Sequence, residues 1–191
     1  MTIWRPSTMS IRMRCGVNQR QQVVPDRAAS RGRRNDGDHF VLRTVQPGLL
    51  GLADGSISTL APLFAAAVAT GESHVALLVG LSAALGAAIS MGVSEALSDD
   101  GSLTGRGGPW RRALVTGVGT LIGAGGHSLP FLIPHFQTAF VLAIVVVIIE
   151  LTAIAWVRWR YFPGTSVRSS VIQVTLAGVI VFAVGLIFGS A

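Results

Sequence analysis

Met91 and Glu95 are the residues whose types and spacing most directly suggest chemistry. They lie four positions apart in residues 89–98, so on a helix they share one face, one turn from each other. A thioether and a carboxylate in this arrangement are suitable ligands for a borderline-soft divalent metal such as Fe²⁺. Asp54 places a second carboxylate within another apolar segment, and an ionisable residue in such a position indicates a functional site. Asp54, Met91 and Glu95 are therefore the predicted metal ligands; the alternatives are core packing for Met91 and an interfacial carboxylate at the helix end for Glu95.

The composition excludes an ordinary soluble domain. Half of the residues are apolar and 13% are charged, whereas a soluble domain carries about 25% charged residues. The net charge of +6 comes with fifteen basic residues, all of them arginine, of which nine precede residue 44 and six lie in two short connections. This distribution is typical of cytoplasmic segments that flank membrane helices, so we expect a lipid bilayer as partner and no nucleic acid. The single cysteine, Cys15, leaves no internal disulfide and no zinc pattern.

Five apolar segments predict five membrane spans. Each has about 20 residues or more, enough to cross about 30 Å of hydrocarbon at about 1.5 Å per residue. Arginines lie only on the side that holds the N-terminus, which predicts a cytoplasmic N-terminus and an extracytoplasmic C-terminus. The predicted fold is an all-α, multi-pass protein of the cell (inner) membrane. Its segments are roughly residues 44–70, 74–97, 112–134, 136–157 and 169–190.

Residues 1–43 differ in composition from the rest of the chain. They are rich in arginine and poor in apolar runs, which predicts a disordered cytoplasmic tail before a transmembrane transporter domain of residues 44–191. An organellar transit peptide and a segment that contacts anionic lipid headgroups are the alternatives for the tail. No apolar stretch of the signal-peptide type follows its first basic residues.

Polar residues within the apolar segments mark further candidate positions. By helix rise Asp54 lies about 15 Å into the first span, where it should face protein, water or a cation; a hydrogen bond to a neighbouring helix is the structural alternative. Gly51 and Gly55 offer a close-packing surface, which makes them candidates for a dimer contact. His127, in the Gly- and Pro-rich third span, and Glu150, in the fourth, are candidates for a proton or ion path. A packed histidine and a carboxylate paired with arginine are the alternatives for these two.

The segment around Asp54-Gly55, together with Ile-Ser-Met-Gly-Val-Ser-Glu-Ala-Leu-Ser of residues 89–98, resembles the vacuolar iron transporter family. The Gly- and Pro-rich residues 123–134 are similar to the third span of that family. The resemblance covers about residues 45–190. It implies a five-helix protomer, a homodimer with the ion path between subunits, and exchange of Fe²⁺ or Mn²⁺ for protons. It also implies that Asp54 and Met91 lie on the ion path and that Glu95 is the motif glutamate.

The sequence also departs from this family. Ala96 replaces an aromatic residue, and the interval of residues 99–111 is short, with Asp99 and Asp100 as its acids, where iron-handling members carry a long acidic helical insert. The predicted function is transport of a divalent transition metal out of the cytoplasm by proton antiport, with no resident cofactor. The alternative is a non-transporting membrane scaffold or metal sensor. We expect no enzyme, because the sequence has no HExxH motif and no Ser/His/Asp arrangement beyond His127 with Ser128.

Overall fold

The computed structural model describes residues 39–98, 101, 104, 106–162, 164 and 166–191. These residues form helices and short connections, with no strand among them, as expected for an all-α membrane protein. The predicted disordered tail lies outside the described residues up to position 38. Its last five residues, 39–43, are helical instead, so the first helix begins earlier than predicted. Arg43 lies against Gly107, and the connection before the fourth α-helix thereby supports this first turn.

Among the described residues, a π-helical turn, Val41–Val45, comes first, and six α-helices follow it in chain order. In the part of the chain that the structure describes, four helical segments are long and apolar enough to span a membrane: Val41–Thr70, Ser73–Ser98, Phe136–Tyr161 and Val167–Gly189. The α-helices are α1 (Gln46–Ser58), α2 (Leu60–Thr70), α3 (Ser73–Ser98), α4 (Pro109–Gly126), α5 (Phe136–Tyr161) and α6 (Val167–Ser190), with a 3₁₀ turn, Leu129–Leu132, between α4 and α5. A helical backbone satisfies its own hydrogen bonds, which hydrocarbon requires of any segment that crosses it.

The first apolar segment is interrupted in its middle. Thr59 separates α1 from α2, with φ −89° and ψ −8° and with its N–H donating to the carbonyl of Ile57. Pro62 follows three residues later and has no N–H to donate to the carbonyl of Ser58, which disfavours a continuous helix here. The first apolar segment is therefore two successive helices that meet at Thr59.

α4 packs against α1 and α3, and α1 approaches it closely. A Cβ atom at Gly51 or Gly55 would collide with the backbone carbonyls of Thr116 and Thr120 on α4. Both glycines are buried within one chain. The expectation that they form a dimer contact is therefore wrong, because α4 of the same chain already occupies their surface.

The third apolar segment is interrupted, as its three glycines and two prolines predict. The expected span of residues 112–134 is divided into α4, a turn at His127 and Ser128, and the 3₁₀ turn. α4 is not among the four helices that are apolar enough to span a membrane by composition, because glycine, threonine and arginine lower its hydropathy. Its polar members Arg112, Thr116 and Thr120 are buried against neighbouring helices, so they do not face the surroundings of the bundle.

An apolar core lies where α2, α3, α5 and the 3₁₀ turn meet. Phe64 is fully buried there and makes edge-to-face contacts with Phe131, Phe140 and Phe182, at ring-centroid distances of 6.5, 5.3 and 4.7 Å. Such aromatic pairs each stabilise a core by about 0.5–1.5 kcal/mol beyond the burial of their area. This core fixes α2 and the turn at His127 relative to α5.

Candidate functional site

Glu95 lies in a buried cluster of charges at the end of α3. Its Oε1 accepts a hydrogen bond from Nε of Arg112 at 2.8 Å and another from an Nη atom of Arg106 at 3.1 Å. Glu95 is 6% exposed and Arg112 is 1% exposed, so this ion pair is shielded from water. Arg112 also donates to the carbonyl of Gly107 at 2.8 Å. Glu95 therefore joins the end of α3 to the connection before α4 and to the start of α4.

This arrangement bears on the prediction that Glu95 binds a metal. Two guanidinium groups on one carboxylate oxygen neutralise the charge that would attract a cation. Both contacts use Oε1, which leaves Oε2 as the oxygen that a metal would use. A metal ligand role for Glu95 stays a prediction, and the geometry gives the residue a structural role in addition.

Asp54 lies on α1, partly buried, on a different side of the helix from the glycines that pack on α4. Leu50 and Ser58, one turn before and one turn after it, are both exposed. At about 100° per residue these three residues form one face, more than a quarter turn away from Gly55. The carboxylate of Asp54 is therefore on a face that no other helix of the chain covers completely.

Met91 is partly buried on α3. Gly55, which follows Asp54, packs against Thr120 of α4. Gly92, which follows Met91, packs between Ala113 and Gly117 of the same helix. At about 1.5 Å per residue, Asp54 and Met91 then differ in depth along α4 by about 7 Å. The two predicted ligands therefore lie beside neighbouring turns of α4, and their joint role as ligands stays a prediction.

The described residues do not bring the three predicted ligands into a bonded cluster. No hydrogen bond or ion pair among the described side chains joins Asp54, Met91 and Glu95. Within the same part of the chain no group of three or more His, Cys, Asp and Glu side chains is close enough together to hold a metal ion. A site built on Asp54 and Met91 would therefore need ligands from a second copy of the chain, from backbone carbonyls or from water.

His127 and Glu150 form a second polar site, and the structure joins them directly. Nδ1 of His127 lies 3.0 Å from Oε2 of Glu150, and Nε2 of His127 lies 3.1 Å from Oγ1 of Thr59. The Thr59 hydroxyl donates to the carbonyl of Gly55 at 2.7 Å. His127 is fully buried and Thr59 is 2% exposed. The other oxygen of Glu150 lies over Gly126, where a Cβ atom would displace it.

We call this chain of groups the Thr59–His127–Glu150 network. A carboxylate, an imidazole and a hydroxyl follow in the order that nucleophilic enzymes use. Here, however, the hydroxyl is almost completely buried and its proton is engaged by a backbone carbonyl of its own helix. The geometry therefore suits storage of a proton better than attack on a substrate.

Three participants were missed by sequence reasoning: Thr59, Arg106 and Arg112. Thr59 lies 68 residues from His127 in sequence, and nothing in its surroundings distinguishes it from other threonines of the apolar segments. Arg106 and Arg112 were counted only as cytoplasmic charges. Their spacing of eleven and seventeen residues from Glu95 crosses a connection whose fold the sequence does not specify.

Comparison of the chain with protein-family models, with curated protein sequences and with solved structures gives no match.

Proposed function

We propose that the protein transports a divalent transition metal, Fe²⁺ or Mn²⁺, out of the cytoplasm in exchange for protons. The observation that carries the proposal is the position of Asp54, a carboxylate in the middle of an apolar segment, on a face of α1 that its own chain leaves partly open. An ionised carboxylate at such depth costs about 2.5–3.5 kcal/mol on insertion scales, which a bound cation would offset. The resemblance of residues 89–98 to the vacuolar iron transporter motif supports the same function.

The proposal includes five spans, with α4 as the third. α4 has eighteen residues and reaches about 27 Å, close to the thickness of the hydrocarbon. Apart from Arg111 in its first turn, its exposed large side chains are apolar, among them Leu114, Val118 and Ile122, which suits contact with lipid. With five spans and a cytoplasmic N-terminus, all fifteen arginines fall on the cytoplasmic side. These features favour a cytoplasmic N-terminus in an inner-membrane protein.

The proposed active form is a homodimer. Ser82, Gly86, Ser90 and Ser94 recur every fourth residue along α3, and all four are exposed on the single chain. Small and polar residues in such a row favour close approach of another helix over contact with lipid. The face of α1 that carries Asp54 is likewise only partly buried within the single chain. A second copy on these faces would enclose the two predicted ligands, Asp54 and Met91.

In the proposed mechanism the metal enters from the cytoplasm and binds Asp54 and Met91, with Oε2 of Glu95 nearest the cytoplasmic end. Carboxylates bind a divalent metal only when they are deprotonated, so metal and proton compete for Asp54. Protonation from the opposite side then removes the charge attraction and releases the metal. The thioether of Met91 adds preference for the borderline-soft Fe²⁺ over harder cations such as Mg²⁺.

One alternative function is favoured by a specific observation. Two arginines engage Glu95, and the described residues contain no cluster of three metal-binding side chains. Of the two forms of the alternative, a non-transporting membrane scaffold or a metal sensor, the scaffold would need no such cluster. The two functions differ in their effect on a cell, because a scaffold does not lower the cytoplasmic metal concentration.

Metal tolerance of a sensitive host separates the two functions. Cells that express the native chain should grow at Mn²⁺ or Fe²⁺ concentrations that inhibit cells expressing Asp54→Asn, which removes the charge and keeps the shape. Ser58→Ala, one turn away on the same exposed face, is the matched control and should retain tolerance. Equal growth of cells with the native chain, cells with Asp54→Asn and cells without the protein, at equal membrane expression, would contradict transport and favour the scaffold.

A further inference from the structure

We propose that the Thr59–His127–Glu150 network is a buried site that binds one exchangeable proton, with the Thr59 hydroxyl as its switch. The site is separate from the metal ligands proposed above and does not depend on metal transport. It joins three apolar helical segments, since Thr59 separates α1 from α2, His127 follows α4 and Glu150 belongs to α5. By helix rise Thr59 is about 17 Å from the end of α2 and Glu150 about 21 Å from the start of α5, so both lie well inside their helices.

The hydrogen bonds determine how many protons the site holds. Thr59 has one hydroxyl proton, and it is given to the carbonyl of Gly55, which can only accept. Nε2 of His127 must then carry a proton to make its 3.1 Å contact with the Thr59 oxygen. A second proton must lie between Nδ1 and Oε2 of Glu150, which are 3.0 Å apart. Whether this proton is on the imidazole or on the carboxyl, the pair has no net charge.

Loss of one proton requires a different set of hydrogen bonds. With Glu150 ionised and His127 neutral, the remaining imidazole proton is best placed on Nδ1, where it faces the carboxylate. Nε2 then becomes an acceptor, and among the described residues the donor in contact with it is the Thr59 hydroxyl. The hydroxyl must turn from the Gly55 carbonyl to Nε2. Release of the proton is thereby coupled to a backbone hydrogen bond beside the break between α1 and α2.

The helices around the network place no other titratable group in contact with it. On the α1–α2 side the partner is the hydroxyl of Thr59, and Asp54 is about 8 Å away along the helix. α3 approaches the network at Gly80, which lies against Ser128. By helix rise Gly80 is about 9 Å from the exposed His74 and about 22 Å from Glu95. Arg112 on α4 is about 22 Å from His127, and Arg158 on α5 is about 12 Å from Glu150, by the same measure. α6 has no charged residue after Arg168.

Glu150→Gln gives a matched variant that holds the proton-loaded pattern permanently. The amide donates one N–H to Nδ1 of His127, so Nε2 keeps its proton and Thr59 keeps its bond to Gly55, but no proton can be released. Thr59→Val removes the switch. Thr120→Val is its control, because Thr120 is equally buried and its hydroxyl donates to the carbonyl of Thr116 at 3.0 Å without touching an imidazole.

The test is ¹⁵N NMR of the metal-free full chain in lipid bilayers, with histidine labelled and His127→Asn used to assign the His127 ring. The pH is varied from about 5 to about 8, the range in which histidine changes charge. Labelling with ¹³C-carbonyl glycine and ¹⁵N-serine reports the Gly55 carbonyl in the same samples, because only three Gly–Ser bonds occur, at Gly55, Gly101 and Gly189.

The proposal predicts that raising the pH converts His127 from a ring with Nε2 protonated to a ring with only Nδ1 protonated. The Gly55 carbonyl should lose its hydrogen bond in the same transition. Both changes should be absent in Glu150→Gln, and the carbonyl response should be absent in Thr59→Val but present in Thr120→Val. The proposal is overturned if His127 keeps its Nε2 proton over the whole range, or if the native chain and Glu150→Gln change alike. Because no metal is present, neither result decides the transport proposal.

Discussion

Removal of the charge on Glu95 should destabilise the fold more than any change at Arg106. Glu95→Gln removes the carboxylate charge that lies 2.8 Å from Nε of Arg112, a guanidinium that is 1% exposed. Removing one member of a buried ion pair costs about 3–5 kcal/mol, because the other charge stays buried without compensation. At about 2–4 °C per kcal/mol for a chain of this size, the midpoint of thermal unfolding should fall by roughly 6–20 °C.

Arg106→Gln is the matched control for this prediction. Arg106 is 21% exposed and contacts the same oxygen at 3.1 Å, so its loss should cost no more than about 1 kcal/mol. Replacing both members of the buried pair, as Glu95→Gln with Arg112→Met, should recover much of the lost stability because no buried charge remains. The midpoint is followed by circular dichroism of the protein in detergent.

One outcome would refute this reasoning. If Glu95→Gln has the same midpoint of thermal unfolding as the native chain and no longer binds metal, the ion pair does not stabilise the fold and Glu95 acts as a ligand. The opposite outcome, a large loss of stability with metal binding retained by the folded fraction, would show that the glutamate of the motif holds the connection before α4 in place.

Two further predictions concern the helix surfaces. Gly55→Ala should lower the free energy of unfolding by about 1–3 kcal/mol, because its Cβ atom meets a backbone carbonyl of α4 that cannot move aside. Gly125 has open space around it, so Gly125→Ala should unfold in the same thermal scan at or above the midpoint of the native chain. Ser90→Cys in a Cys15→Ser background should form an oxidative cross-link between two chains in the membrane, and Thr152→Cys, exposed on α5, should not; equal cross-linking of the two would contradict the proposed dimer face.

The sequence was a sufficient guide to the coarse fold because hydrocarbon restricts a spanning chain to few structures. Runs of about 20 apolar residues can only be helices there, and the helix ends lie within a few residues of their predicted positions. The exception is the third segment. Its glycines lower the hydropathy, yet they allow α1 to approach α4, as at Gly119 and Gly123, where a Cβ atom would meet backbone carbonyls of α1.

The polar contacts depended on information that the sequence lacks. His127 and Glu150 could be recognised singly, because an ionisable residue in an apolar run is unusual. Their pairing depends on the relative rotation and depth of α4 and α5, and the third member, Thr59, is an ordinary residue in composition. For Glu95, the motif suggested a ligand, while the fold of the following connection brings two arginines onto its carboxylate.

Uptake into proteoliposomes tests the central claim, exchange of metal for protons through Asp54, most directly. Vesicles that hold a pH gradient and a pH-sensitive dye are loaded with the native chain, Asp54→Asn or Ser58→Ala, and Fe²⁺ or Mn²⁺ is added outside. The account predicts metal uptake with simultaneous proton efflux for the native chain and for Ser58→Ala, and neither for Asp54→Asn. Metal uptake that moves no protons, uptake that survives Asp54→Asn, or no uptake of either metal by the native chain would contradict it.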